Sequence, residues 1–139
     1  MQYLCNSVPA PFIIDDSGLE VDALRGFPGV YSAYVYKTLG CAGILRLLTD
    51  GDRAARFRCV IGLADGTGTR SLTGICEGSI ASAERGKEGF GYDPIFLPRG
   101  SGRTFAEMST AEKNALSHRG KALAALARHL KAQRQAKKM

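Results

Sequence analysis

Tryptophan is absent from this chain of 139 residues, histidine occurs only twice, and no stretch approaches the ~18 consecutive apolar residues of a membrane-spanning helix. A membrane partner is therefore not expected. The four cysteines, Cys5, Cys41, Cys59 and Cys76, lie far apart and form no CxxC pair, and neither histidine stands at metal-ligand spacing from any of them. Neither a zinc site nor a disulfide framework is expected. The thiols read as reduced, packed as small apolar groups, and consistent with a cytoplasmic location. The opening Met1-Gln2-Tyr3-Leu4-Cys5-Asn6 lacks the basic segment and apolar run of a secretory signal. Acidic residues are missing beyond Glu112. From residue 113 onward there are eight Lys and Arg, whereas before it eleven bases face thirteen acids. The net charge of +6 thus belongs to one C-terminal segment. A basic tail can touch nucleic acid, but no aromatic-rich strand or binding motif accompanies this one. It reads as a solvated helix face with a frayed end, and nucleic acid is not an expected partner.

What the chain does have is 45% hydrophobic residues, 17 glycines and enough length for one domain, residues 1–139, with a real core. Residues 1–8 suggest a helix tail. Pro9-Ala10-Pro11 precedes Phe12-Ile13-Ile14, a short apolar strand of the kind found inside a sheet. Arg25 to Gly29 forms a turn, and residues 38–49 fit a helix with Ile44, Leu45 and Leu48 on one face. Arg56 to Leu63 alternates, with Phe57, Cys59, Ile61 and Leu63 on one side. Asp65-Gly66-Thr67-Gly68 is a hairpin turn, and Arg70 to Ile80 the returning strand, with bulges expected at Gly74 and Gly78. Ser109-Thr110-Ala111-Glu112 has capping-box spacing for a short helix. Ser117 can cap a second, whose apolar positions are Leu123, Leu126 and Leu130.

Three constellations could carry chemistry. Asp15-Asp16-Ser17-Gly18 sets two carboxylates at the end of an apolar strand, one facing each way. One of them could take a hard cation such as Mg²⁺ with a water; the plain alternative is an Asp-Ser-Gly turn. Gly89-Phe90-Gly91-Tyr92-Asp93-Pro94-Ile95-Phe96 offers aromatic faces that could stack on a base, with Asp93 able to read its edge. Its alternative is a turn whose aromatics plug a core gap. Ser117-His118-Arg119 would put a planar donor and a fixed cation at a helix N-terminus, where anions and purine carbonyls bind, and Lys113 on the preceding short helix could fold over the same pocket. For His118 alone the alternative is a solvent-exposed polar cap residue.

In this order, with Phe27-Pro28-Gly29-Val30-Tyr31-Ser32-Ala33, Arg56-Phe57, Thr104-Phe105-Ala106-Glu107-Met108 and Glu112-Lys113 between them, these segments resemble the inosine/xanthosine triphosphate pyrophosphatases, the HAM1-like enzymes of non-canonical purine nucleotides. The resemblance implies an α/β fold: an elongated mixed sheet flanked by helices, two-lobed, with a central nucleotide cleft, usually in a homodimer. It implies Mg²⁺-dependent cleavage of ITP, dITP or XTP to monophosphate and pyrophosphate. Asp16 would be proton acceptor and metal ligand, and Asp15 the supporting metal-binding carboxylate. Ser17, Phe90, Gly91, Tyr92, Asp93, Lys113, His118 and Arg119 would bind substrate, with His118 and Arg119 near the purine 6-position. Where the family carries Arg in its common bacterial pattern, this chain has Tyr34. The family's opening strand, with its Ser/Thr-x-Asn-x-x-Lys motif, and the following helix with another magnesium-binding Glu have no counterpart. The first lobe is therefore expected to be incomplete, with an exposed sheet edge and poor solubility. The alternative function is an impaired nucleotide-binding remnant.

Overall fold

The computed structural model describes residues 2–49 and 51–138. A short helix α1 (Gln2–Ser7) leads into strand β1 (Phe12–Val21). Two more short helices, α2 (Ser32–Thr38) and α3 (Gly40–Leu47), precede the hairpin of β2 (Ala54–Ala64) and β3 (Thr69–Ile80). Strand β4 (Phe96–Pro98), helix α4 (Thr110–Leu116) and the long helix α5 (His118–Lys138) complete the order. The class is α/β as expected. The described sheet has the order β1-β2-β3-β4, and every neighbouring pair is antiparallel. No described helix is long and apolar enough to cross a membrane.

Alternation in β2 decides what covers the sheet. Phe57, Cys59, Ile61 and Leu63 are all buried on one face, as a period of two requires. Towards the β2–β3 turn, Cys59, Ile61 and Leu63 pack under Ala122 and Leu126 of α5. Towards the other end, Phe57 joins Leu19, Val21, Ile44, Phe96 and Phe105 in a larger core. Phe57 lies 4.6 Å from the tilted ring of Phe96 and stacks on Phe105 at 6.0 Å.

Several local expectations are corrected. The strand that opens at Phe12 is ten residues long and runs through Asp15-Asp16-Ser17-Gly18 without a turn. It is an outer strand among those described, with Ile13 and Ile14 exposed. The helix expected at 38–49 is two helices. Leu39 stands between them, and Gly40 opens α3 at φ +66, a conformation that side chains resist. Ile44 and Leu48 are nonetheless buried. Gly74 and Gly78 are not bulges: the β2–β3 register is continuous through both. They are glycines because backbone crosses over them. A Cβ at position 74 would collide with the carbonyl of His118 and the amide of Ala122, and one at 78 with the carbonyl of Leu97. On α5 only Leu126 of the three expected leucines is buried, while Leu123 and Leu130 face solvent. The buried set His118, Ala122 and Leu126 runs at intervals of four instead, set by how closely the helix lies on the sheet.

The capping arguments hold. Ser109 Oγ accepts from the Glu112 amide at 3.1 Å and the Glu112 carboxylate returns to the Ser109 amide. Ser117 Oγ accepts from the Gly120 amide at 3.0 Å at the start of α5. Cys41, Cys59 and Cys76 are free and buried; the Cys5 side chain lies outside the described residues.

Substituting Gly74 by Ala should therefore lower stability by about 1–3 kcal/mol, the cost of overpacking a close backbone contact. Gly68→Ala, where an added Cβ meets nothing, should be close to neutral. Thermal denaturation of the two variants side by side checks the difference.

Candidate active site

All three constellations reach one cleft of about 460 Å³, through Asp15 to Gly18, Phe90 to Asp93, Lys113, His118 and Arg119; Gly89, Pro94 to Phe96 and Ser117 lie outside its lining. Its floor is β1. Asp15 and Ser17 stand opposite Ile61 and Cys59, on the sheet face that α5 covers. Asp16 alternates away and also borders a shallower groove with Glu20 and Arg58. The acidic pair thus sits inside a strand, not at its end.

One wall is the segment around Phe90. Gly89 (φ +74) and Gly91 (φ +60) are both in left-handed backbone. Phe90 between them is 66% exposed, so its ring is open to a planar partner. Tyr92 is different. It is buried, sits edge-on to Tyr36 at 5.4 Å, and donates its hydroxyl to the Ser32 carbonyl at 2.6 Å. Burial pushes its phenol up to about 12. Asp93 is committed within the protein: Oδ2 accepts from the Phe90 amide at 3.0 Å and from Lys113 Nζ at 2.6 Å. The Lys113 ammonium lies 4.4 Å from the centre of the Phe90 ring, and the Arg119 guanidinium 5.7 Å from it.

The opposite wall is the first turn of α5. His118 is buried and stacked on Phe57 at 4.6 Å with rings 16° apart, which overturns the solvent-exposed alternative. Burial, then the Arg119 and Lys113 charges, lowers its imidazole to about 4, so it is neutral at pH 7. Arg119 Nε lies 3.5 Å from Asp15 Oδ2, an ion pair without hydrogen-bond alignment.

Four buried side-chain polar atoms lack a hydrogen-bond partner among the described residues: Ser17 Oγ, His118 Nδ1, Arg119 Nε and His129 Nε2. The first three belong to residues lining this cleft. Buried polar atoms are rarely left unpaired in a native protein, and three of the four here belong to residues of a single cleft.

The sequence reading missed one wall. Ser32, Ala33, Tyr36 and Lys37 of α2 also line the cleft. Ser32 is buried, and its Oγ accepts from the Leu19 amide at 2.8 Å and donates to the Gly29 carbonyl at 2.6 Å. This ties α2 to the outer edge of β1. The signal was the spacing 33, 36, 37, which puts three residues on one helical face.

The sequence model of the Ham1 family matches residues 1–129. The chain belongs to the Ham1 family. It is 53% identical over 132 residues to the dITP/XTP pyrophosphatase of Pyrococcus horikoshii, a match covering 94% of this chain and 71% of the relative. With the Thermococcus kodakarensis protein of the same name it is 56% identical over 131 residues, again 94% and 71% of the two chains. Among solved structures it resembles the Staphylococcus aureus Ham1 protein, with a TM-score of 0.87 and 38% identity over 92% of this chain and 70% of that one. For a nucleoside-triphosphatase / dITP/XTP pyrophosphatase from Mycobacterium abscessus the TM-score is 0.76 and the identity 42%, over 90% and 68%.

The His118 environment has a pH signature. Its folded-state pKa lies below its ordinary value of 6.5, so the unfolded chain takes up the proton first. Stability from this residue is complete above about pH 6.5, falls as pH drops toward 4, and levels off below; the loss is of order 3 kcal/mol. An NMR titration of the imidazole should show a midpoint near 4, and a midpoint near 6.5 would mean that the ring is solvated.

Proposed function

We propose that the chain hydrolyses non-canonical purine nucleoside triphosphates (ITP, dITP and XTP) to the monophosphate and pyrophosphate, clearing them from the nucleotide pool. The observation that supports this most is that Ser17 Oγ, His118 Nδ1 and Arg119 Nε, all without a hydrogen-bond partner among the described residues, belong to one cleft that has an exposed aromatic ring at Phe90 and two carboxylates on its floor.

In this reading the purine stacks on Phe90, with Lys113 and Arg119 beside the ring, and its 6-oxygen points at the α5 turn. Neutral His118 carries one ring proton, and the tautomer protonated at Nδ1 donates to that oxygen, as does Arg119. Adenine presents an amino donor at the same place. It would leave the buried donors unpaired, which is the strong form of discrimination. Ser17 Oγ binds the nucleotide beyond the base.

The hydrolysis joins a water oxygen to the α-phosphorus and breaks the bond to the bridging oxygen, so that pyrophosphate leaves. Asp16 accepts the water proton, and Asp15 supports it from the adjoining position. The two carboxylates also suit Mg²⁺, a hard cation that is held by one or two carboxylates together with substrate phosphates and keeps several waters. No group of three or more His, Cys, Asp or Glu is gathered among the described residues, and the ion does not require one. When bound, Mg²⁺ neutralises phosphate charge. Its entry at Asp15 would compete with the Arg119 contact. Homodimerisation is part of the same proposal; Val30, Tyr31 and Tyr34, all exposed and near one another in sequence, offer an apolar surface for a second copy.

Pyrophosphate release measured with Mg²⁺ should be far greater from ITP, dITP or XTP than from ATP. Asp16→Asn should lower kcat by about a hundredfold or more, and undiminished turnover would remove Asp16 from the chemistry. Phe90→Ala should raise KM for ITP by roughly tenfold with a smaller change in kcat. Nucleotide affinity without any turnover would instead favour a binding role.

A further inference from the structure

The charges lining the cleft are balanced, three acidic and three basic. Two of the bases are already matched: Lys113 with Asp93 at 2.6 Å and Arg119 with Asp15 at 3.5 Å. Both also lie over the Phe90 ring, at the end where a base would stack. Lys37 is different. Among the described residues its side chain makes no ion pair and no hydrogen bond, and it stands exposed on α2 in line with Ala33 and Tyr36 on the cleft wall. The orientation of that wall is fixed from both sides. Tyr36 meets Tyr92 edge-on, and Ser32 is bonded to the Leu19 amide and to the Tyr92 hydroxyl.

We infer that Lys37 is a phosphate-binding residue of this cleft, taking an oxygen of the substrate's polyphosphate. The inference rests on the nucleotide reading above and adds a residue to it. A nucleoside triphosphate carries several negative charges, and the carboxylates on the floor repel them. The cations at the base end are held by their own partners. Lys37 alone brings an uncommitted positive charge, on a flexible stem whose ammonium stays hydrated until an anion arrives. No contact within the protein needs it there, so its role is one of binding and not of folding.

Calorimetry on the full chain with inosine, IMP and ITP, at low and moderate salt, tests this. Lys37→Gln should weaken ITP binding by about tenfold, weaken IMP less, and leave inosine unchanged. It should flatten the salt dependence of ITP binding and leave the melting temperature where it was. Lys37→Arg should restore most of the affinity. Unchanged ITP affinity in Lys37→Gln, or an equal loss for inosine and ITP, would overturn the assignment while leaving the base pocket intact. If the unsubstituted chain binds none of the three ligands, the proposed function fails and takes this residue with it.

Discussion

The closeness of α5 to the sheet is the constraint on which the site depends. The helix starts directly above β3, with its first turn against the backbone of Gly74, where any side chain would meet the His118 carbonyl. This approach lets His118 lie flat on Phe57 and carries Arg119 to within 3.5 Å of Asp15, on the far side of the sheet from β3. A helix held at the ordinary separation of side-chain packing would leave His118 short of Phe57 on β2 and Arg119 short of Asp15 on β1. One absent side chain in β3 therefore sets the distance across the cleft between β1 and α5.

The electrostatics follow from the same compactness. Lys113 and Asp93 are both largely buried and bonded to each other; each alone would be a costly buried charge. Asp93 also holds the Phe90 amide, so the ion pair sets the shape of the loop as well as its charge. His118, between Arg119 and Lys113 and away from water, remains neutral. A neutral ring among fixed cations adds a polar group to the cleft without adding charge.

Periodicity and capping made much of this legible in the sequence. The alternation of β2, the hairpin turn at 65–68 and the serine caps of α4 and α5 are local properties, and each appears where spacing placed it. What failed was tertiary in origin. Gly74 and Gly78 looked like bulges because a lone sequence does not reveal what passes overhead, and Leu123 and Leu130 looked buried because helical period alone does not choose a face. Helix α2 escaped notice because Ser32 to Thr38 is rich in tyrosine and β-branched residues, poor helix formers when unsupported. Its position comes instead from Ser32 and Tyr92, partners 60 residues apart.

That last contact has a wider consequence. Ser32 receives the Tyr92 hydroxyl on its carbonyl and the Leu19 amide on its side chain, so the aromatic loop, the short helix and the acidic strand are fastened at a single residue. Such a junction behaves as a keystone. The distance between the exposed Phe90 ring and the carboxylates of β1 is thus cast by the fold itself, through bonds made at one residue.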